Sequence, residues 1–469
     1  MTGASSLDLV AGTAARNRLL WAAILASFVS FLDGSIVNIA LPAIARDIGG
    51  GIVLQQWVVD GYLLTLSAFI LTAGSVSDAF GRLKVLRIAI VAFAVTSLLC
   101  AVAPTAGILV VARLLQGVAG ALLVPGSLSL IIATFEGPEQ SRAIGRWTSW
   151  TSVSFLAGPI IGGLLVDAVG WRSVFVLSVL PAAASMLLLG RTRDGAMPEP
   201  RSRIDVPSAA LAAIGLGALV TGLIEVGARS RGGGTATLPL PVSVGLLVAG
   251  AVLLVAFVLW DRRAAHPLVP RALFTARNFR WGNLTTLFVY AGLNIASLVP
   301  TLYLQQVVKL PATVAALVGL PSTVLMILLS GRFGALSGRF GPRLFMTAGP
   351  ITAAVGAGLM TFVRDPATAL WLIVPGIVIS GLGIAATVAP LTSAVLGAVK
   401  PEQSGIGSAV NNAVARVAGL VATACVGWIL GGVLTTSGFD RAAFVTALLL
   451  LVGGLTSLAG IRNGSARDA

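Results

Sequence analysis

The sequence predicts an all-helical integral membrane protein of about fourteen transmembrane helices, built as two pseudo-symmetric six-helix bundles plus two extra helices. Three observations predict it. Of 469 residues, 57% are hydrophobic and only 10% are charged, with a mean hydropathy of +0.97. A soluble domain carries about 25% charged residues, so most of this surface must face lipid. The chain also divides into about fourteen apolar runs long enough to span a bilayer, and a lipid-facing backbone satisfies its own hydrogen bonds as a helix. Finally, short motifs recur in order at an offset of about 260 residues, the mark of a duplicated unit.

The clearest copy is a charged turn. GSVSDAFGRLKVLR (Gly74–Arg87) lies between two apolar runs, and GALSGRFGPRL (Gly334–Leu344) repeats it. Gly74 matches Gly334, Ser77 matches Ser337, Phe80 matches Phe340 and Gly81 matches Gly341. PEQS occurs at Pro138–Ser141 and again at Pro401–Ser404, and Pro125 in LLVPGSLS has its counterpart Pro390 in TVAPLTS. Chance produces one such match easily; three in order at nearly one spacing point to duplication.

The spans lie near 18–42, 55–76, 84–103, 107–132, 143–166, 171–190, 207–228, 240–260, 279–300, 312–334, 344–362, 369–396, 405–430 and 441–461. Residues 1–190 form the N-terminal six-helix bundle and residues 279–469 the C-terminal one. Residues 191–278 hold a polar linker, RTRDGAMPEPRSRID (Arg191–Asp205), and the two additional spans. They end in a short basic stretch, Asp261–Arg280, expected to lie along the membrane surface. Trp21, Trp57, Trp171, Trp260 and Trp371 fall near span ends, where aromatic belts form, and read as anchors.

A net charge of +14 first suggests nucleic acid. The placement of the basic residues argues otherwise. With a cytoplasmic N-terminus, most of the 31 lysines and arginines fall on inner segments. Arg46, Arg172, Arg229, Arg231, Lys309, Arg364 and Arg441 fall outside, and Arg113 and Arg416 fall within spans. Positive charge marks the inner face, which places a multi-pass protein in the cytoplasmic membrane with both termini inside. The expected partners are anionic lipid and the bilayer, not nucleic acid. Cys100 and Cys425 lie in apolar runs, against a disulfide framework. The N-terminal segment is polar to about Arg18, and the apolar run after it is long enough to be retained as a span. The one histidine, His266, sits in a polar connection, so proton chemistry inside the membrane falls to carboxylates.

Three charged residues stand inside the first bundle. FLDGSIVNIALP (Phe31–Pro42) sets Asp33 deep in the first span, with Asn38 and Pro42 following at near-helical spacing. A carboxylate there should face the bundle interior. Burial disfavours its charged form, which suits a group that takes up and releases a proton. The plainer alternative is a structural hydrogen bond to a neighbouring helix. QQWVVDGYLL (Gln55–Leu64) opens the second span with Asp60, either a second carboxylate on the same path or a hydrated residue at the rim. ARLLQGVAGALLVPGSLSL places Arg113 in the fourth span, followed by Gln116, Gly117 and Gly120. A buried arginine needs an acidic partner, Asp33 or Asp60, unless it snorkels to the interface.

In the charged turn, Gly74 and Gly81 permit close approach and a tight bend. Asp78 and Arg82 are four apart and able to pair. Such a turn can latch one conformation and release another; the alternative is a solvated loop. The second copy keeps Gly334, Gly341 and a basic residue, Arg343, but Gly338 replaces the acid. In the fifth span, SFLAGPIIGGLL, the residues Ser154, Gly158 and Gly162 form a close-packing stripe. Pro159 supplies a bend next to Gly162 and Gly163. Glu225, in LVTGLIEVGAR, lies about one turn from the outer end of the seventh span and reads as snorkelling. In AVNNAVARVAG, Asn411 and Asn412 are either polar glue or part of a cavity lining, on the same helix as Arg416.

These residues resemble the major facilitator superfamily, and within it the fourteen-span drug:proton antiporters of the EmrB/QacA type, over nearly the whole chain. LDGSIVNIALP is similar to that branch's LDxTxVNVALP, with Ser35 for threonine. GSVSDAFGRLK is similar to the loop signature GxLaDrxGrkxxl, with Ala79 where a basic residue is common. RLLQGVAGA resembles RxxQGxgaa, and AGPIIGG resembles the gxxxGPxxGG that marks exporters in this family. PTLYLQQV and PEQSGIGSAVNN resemble the second half of the branch.

The resemblance implies two bundles that rock about a central cavity, and proton-driven export of small amphipathic compounds without a cofactor or metal. It ties Asp33 to the substrate and proton path, with Asp60 as a further candidate, and Arg113 to coupling. Asn38, Gln116, Asn411 and Asn412 become candidate cavity residues. Gly74, Asp78, Gly81, Arg82, Gly334, Gly341 and Arg343 become the latch, and Gly158, Pro159, Gly162 and Gly163 the antiporter bend. The protein is expected to work as a monomer. A dedicated exporter of one metabolite or antibiotic is the alternative. A multipass enzyme would gather His, Asp or Glu at one face, whereas this sequence has one histidine and no such cluster. A non-transporting receptor would not need Asp33 and Arg113 inside its first bundle.

Overall fold

The computed structural model describes residues 13–190, 206–229, 236–264, 269–399 and 404–463. Among them fourteen α-helices follow one another. They are α1 (Thr13–Ile48), α2 (Gly51–Phe80), α3 (Arg82–Ala101), α4 (Ala106–Thr134), α5 (Gly137–Ala168), α6 (Arg172–Leu189) and α7 (Val206–Ala228). The rest are α8 (Leu240–Asp261), α9 (Arg277–Gln306), α10 (Ala312–Phe340), α11 (Pro342–Met360), α12 (Leu370–Leu396), α13 (Ser404–Leu430) and α14 (Thr436–Gly460). Thirteen are long and apolar enough to cross a membrane. The fourteenth, α11, is diluted by Arg343, Pro350 and three glycines, Gly349, Gly356 and Gly358. The protein is an all-helical, multi-pass membrane protein.

The chain resolves into two compact units, Met1–Gly49 with Trp57–Ala213, and Gly50–Gln56 with Ile214–Ala469. In the first, α1 packs on α4, α5 and α6, and α3 packs on α4 and α6. The α1–α5 contact is made by the stripe read from the sequence. A Cβ on Gly158 would stand 2.1 Å from Ser35 Oγ, and one on Gly162 would stand 2.5 Å from Ile36 Cγ1. Ser35 Oγ donates to the Leu32 carbonyl (2.9 Å) and across to the Ser154 carbonyl (3.2 Å). Pro159 lies inside α5, and Gly163 is buried.

In the second unit, α9 packs on α13 and α14, α11 on α12 and α14, and α10 on α12. The orphan carbonyls at the C-terminus of α14 are capped by arginines from two other helices. Arg277 donates to the Gly460 and Ala459 carbonyls, and Arg343 to the Leu458 carbonyl. Positive charge belongs at this end of a helix dipole.

The duplication is visible in the backbone. Gly81 joins α2 to α3 at φ 96°, and Gly341 joins α10 to α11 at φ 84°. Both lie in a region that residues with a Cβ rarely enter, so the one-residue joint explains why both copies hold glycine there. The second joint is further tied by Asn463, whose Oδ1 accepts the Arg343 N–H (3.1 Å) and whose Nδ2 donates to the Phe340 carbonyl (3.5 Å).

Two expectations are corrected. Glu225 does not snorkel: it is 3% exposed, and its carboxylate accepts the backbone N–H groups of Thr237 (2.9 Å) and Leu238 (3.0 Å) and the Thr237 hydroxyl (2.6 Å). The turn into α8 thus supplies the donors that solvent was expected to supply. Trp171 is not an interfacial anchor either. It is 4% exposed and donates from Nε1 to Asp47 (2.9 Å), whereas Trp260 and Trp371 are exposed. The described part of the basic stretch after α8 contains a short 3-10 helix, Arg271–Thr275, whose Leu273 is buried in the core with Phe279. His266 and the linker 191–205 lie outside the described residues.

Candidate functional site

The site is assembled from five helices of the first unit. Thr105 starts α4 by accepting the Ile108 N–H on its hydroxyl (3.4 Å), a standard N-cap. Arg113 therefore falls about two turns inside the helix. Because α1 and α4 are in contact, the guanidinium meets Asp33 of α1 (Nη1–Oδ2 2.6 Å). Of the two candidate acids, Asp33 is the partner of Arg113. Neither side chain reaches the surface: Asp33 is 0% and Arg113 1% exposed. The snorkelling alternative for Arg113 is excluded.

The pair is held on every side. Arg113 Nη1 also donates to Gln116 Oε1 (2.6 Å), and Nε donates to the Val58 carbonyl of α2 (2.8 Å). Gln116 Nε2 donates to Asp33 Oδ1 (3.0 Å) and to Ser97 Oγ of α3 (2.8 Å). Cys100 Sγ approaches Gln116 Oε1 at 3.6 Å. The guanidinium carbon lies 4.5 Å from the Tyr62 ring centre and 5.9 Å from that of Phe175. The Tyr62 hydroxyl is itself bonded to Ser30 Oγ (2.8 Å). A buried charge pair is tolerated only when its remaining donors and acceptors are also satisfied, and here a glutamine, a backbone carbonyl and two aromatic rings serve.

Glycines give Tyr62 its place. A Cβ on Gly117 would stand 2.3 Å from the Tyr62 carbonyl, and one on Gly120 would stand 2.8 Å from the Tyr62 hydroxyl. The small residues after Arg113 thus let α2 approach α4 closely enough for its backbone to take part.

Asp60 stands apart. It is 0% exposed on α2, and neither carboxylate oxygen has a hydrogen-bond partner. It is buried rather than hydrated at a rim. Asn38 is half-buried on α1. In the second unit, Asn411 Nδ2 donates to Asn283 Oδ1 (3.1 Å) and Thr286 Oγ1 (2.8 Å) of α9, while Asn412 is exposed. Asn411 is thus the polar glue of the two readings. Of the latch residues, the Asp78 side chain and the surroundings of Gly74 lie outside the described residues. Gly334 faces Ala389, with a Cβ–Cβ distance of 3.3 Å were it alanine, and Arg343 caps α14. Among the described residues, no group of three His, Cys, Asp or Glu could hold a metal ion.

Sequence reasoning missed Ser97, Tyr62, Phe175 and the Val58 carbonyl. Ser97 and Tyr62 carry a faint signal as polar groups within apolar runs. A backbone carbonyl carries none, because its role depends on which helix arrives beside it.

A membrane protein of many helices, with a charge pair sealed inside one of its units, has the make-up of a transporter rather than of an enzyme. The chain belongs to the Major Facilitator Superfamily, whose family model matches residues 23–423. It is similar to the multidrug resistance protein Stp of Mycobacterium tuberculosis, at 32% identity over 412 residues covering 87% of this chain and 75% of that protein. It is similar to the tetracenomycin C resistance and export protein of Streptomyces glaucescens, at 32% identity over 85% of this chain and 73% of the relative. The methylenomycin A resistance protein of Streptomyces coelicolor matches at 30% identity over 93% of this chain and 91% of its own length. Among solved structures, a bacterial homologue of the human lysosomal transporter Spinster superposes with a TM-score of 0.67 at 14% identity, covering 96% of this chain and 97% of that one. The xylose transporter XylE of E. coli gives 0.61 at 13% identity, covering 94% and 96%. At these identities the superpositions speak to the fold alone.

Proposed function

We propose that this transporter is a proton-driven exporter of small amphipathic compounds, seated in the cytoplasmic membrane with both termini inside and acting as a monomer without a cofactor. The observation that carries the reading is the sealed Asp33–Arg113 pair. Adding a proton to Asp33 would cancel its charge and loosen its hold on the guanidinium, while the Val58 carbonyl, Gln116 and the Tyr62 ring still hold Arg113. A pair with two such arrangements couples protonation to helix position. Asp60, buried and without a hydrogen-bond partner, is the second acid on the proposed path. Residues 1–190 and 279–469 act as two bundles that expose the site alternately to the two sides of the membrane, with residues 191–278 as an accessory insertion. Asn38 and Asn412 join the surface that meets the cargo. The Gly74–Arg82 turn, with its second copy at Gly334–Arg343, latches one of the two states.

In everted vesicles, an imposed proton gradient should drive accumulation of a transported dye. Asp33→Asn should abolish that uptake while leaving membrane insertion intact. Uptake indifferent to the gradient would sink the proposal. A dedicated exporter is the second reading, favoured by relatives that carry the names of single compounds, tetracenomycin C and methylenomycin A. A resistance panel separates the two: many hits favour broad export, one hit the dedicated role.

A further inference from the structure

The second unit holds a cavity that the proposed coupling does not use. It measures about 530 Å³ and lies where α11 and α13 end and α14 begins. There α14 packs on both of the other helices. In the orientation proposed above this is the outer end of the unit. The lining mixes charged side chains, Arg364, Asp440 and Arg441, with two aromatic ones, Trp428 and Phe444. Cavities of about 300–1,000 Å³ hold small ligands. Both rings are exposed, Trp428 at 67% and Phe444 at 62%. They sit within about two turns of the ends of α13 and α14, which are among the helices able to cross the membrane. Aromatic rings at that depth meet the boundary between acyl chains and head groups.

The charges are only partly spent. Arg364 uses Nη1 for both the Thr361 carbonyl (2.9 Å) and Asp440 Oδ2, which leaves Nη2 and Nε without a protein partner. Arg441 gives Nε to the Ile429 carbonyl (2.8 Å) and Nη2 to the Leu430 carbonyl, closing the C-terminus of α13 and leaving Nη1. Asp440 has little left to offer: Oδ2 accepts from Arg364, and Oδ1 is buried without a hydrogen bond. The neighbouring acid, Asp365, turns away to cap the short 3-10 helix Pro366–Thr368, accepting the Ala367 N–H (3.0 Å). Two arginines against one aspartate leave the lining with a surplus of positive charge.

We propose that this cavity is a lipid site. The phosphodiester of an anionic phospholipid is bound by the unspent N–H groups of Arg364 and Arg441, and its acyl chains run over Trp428 and Phe444. A guanidinium matches a phosphate through paired hydrogen bonds. An anionic head group is favoured over a zwitterionic one by the surplus charge, and because neither oxygen of Asp440 is offered to an ammonium. A lipid is favoured over a free phosphate by the exposed rings beside the arginines. The site shares no residue with the Asp33 network and does not depend on the export reading.

The test titrates the full-length protein, in micelles of neutral detergent, with phosphatidylglycerol carrying brominated acyl chains, which quench tryptophan on contact. Brominated phosphatidylcholine is the comparison. The readout is the quenching lost in Trp428→Phe, which isolates Trp428 from the other tryptophans. Phosphatidylglycerol should half-quench that signal at about fivefold lower mole fraction than phosphatidylcholine, the worth of one basic side chain beside a membrane. The paired change Arg364→Gln with Asp440→Asn strands no charge and should bring the two lipids together, while Arg364→Lys should keep part of the difference. Melting in detergent is read for each variant, and the wild type with Arg364→Lys still compares the lipids where the paired change unfolds the protein. Equal quenching by the two lipids in the wild type overturns the charge assignment. Selective quenching that survives Trp428→Phe places the lipid elsewhere and overturns the site. Displacement of the lipid by an equal concentration of glycerol phosphate makes this a free-anion site and overturns the lipid. Full selectivity in a well-folded paired variant overturns the role of Arg364.

Discussion

Arg113 of α4 and Asp33 of α1 meet at 2.6 Å with neither side chain open to solvent, and Gln116 touches both. Removing one member of such a pair strands a buried charge, which costs about 3–5 kcal/mol. Arg113→Gln alone should therefore lower the melting temperature in detergent more than the double change Arg113→Gln with Asp33→Asn, which strands nothing. Gradient-driven uptake should stay lost in both. A double variant no more stable than the single would show that the two side chains are not energetically coupled.

Asp60 makes the opposite prediction. A buried carboxylate without a hydrogen-bond partner destabilises the fold it sits in, and an amide of the same shape relieves part of that by about 1 kcal/mol or more. Asp60→Asn should raise the melting temperature and lower uptake in everted vesicles. A gain in stability with full activity would remove Asp60 from the proposed path.

The α1–α5 contact has almost no slack. A Cβ on Gly158 would sit 2.1 Å from Ser35 Oγ but 3.1 Å from Ser35 Cβ. Gly158→Ala should cost about 1–3 kcal/mol by overpacking, and Ser35→Ala in the same chain should return most of it. Thermal melting of the four proteins in the cycle decides this. Failure of the second change to rescue the first would mean that the backbone, not the hydroxyl, limits the approach.

The joint at Gly341 should not accept a side chain. Alanine there imposes a strained φ, about 1–3 kcal/mol. The new Cβ would also meet the Asn463 side chain at 2.2 Å. Gly341→Ala should lower the melting temperature, and Asn463→Ala in the same chain should return the part due to that contact. A double variant no more stable than Gly341→Ala would show that the backbone strain alone sets the cost.

Glu225 should prove structural. Glu225→Ala leaves the Thr237 and Leu238 N–H groups unsatisfied, at a cost of about 1–3 kcal/mol. Glu225→Gln keeps an acceptor there and should cost less, with an unchanged pH profile of transport. A shifted profile in the glutamine variant would return Glu225 to the proton path.

Much of this was legible in the sequence, and the reasons are physical. Helix number and order follow from hydropathy, because lipid leaves a chain few other ways to satisfy its backbone. The Ser154–Gly158–Gly162 stripe was readable because close helix packing demands small residues at a fixed spacing. That Arg113 needed an acid was readable from its depth, but the choice of Asp33 over Asp60 was not, since it depends on how α1 and α2 turn their faces toward α4. Glu225 and Trp171 were misread for a shared reason. Distance from a helix end predicts solvent, yet the backbone of the turn into α8 and the carboxylate of Asp47 took its place.

Cys100 has a practical consequence. Its thiol lies 3.6 Å from Gln116 Oε1, at the edge of the charge network, and is 0% exposed. The protein therefore carries its own reporter. The rate at which a small maleimide alkylates this sulfur, with Cys425 first replaced by serine, measures how often the seal around Asp33 opens, with no cysteine added by mutation.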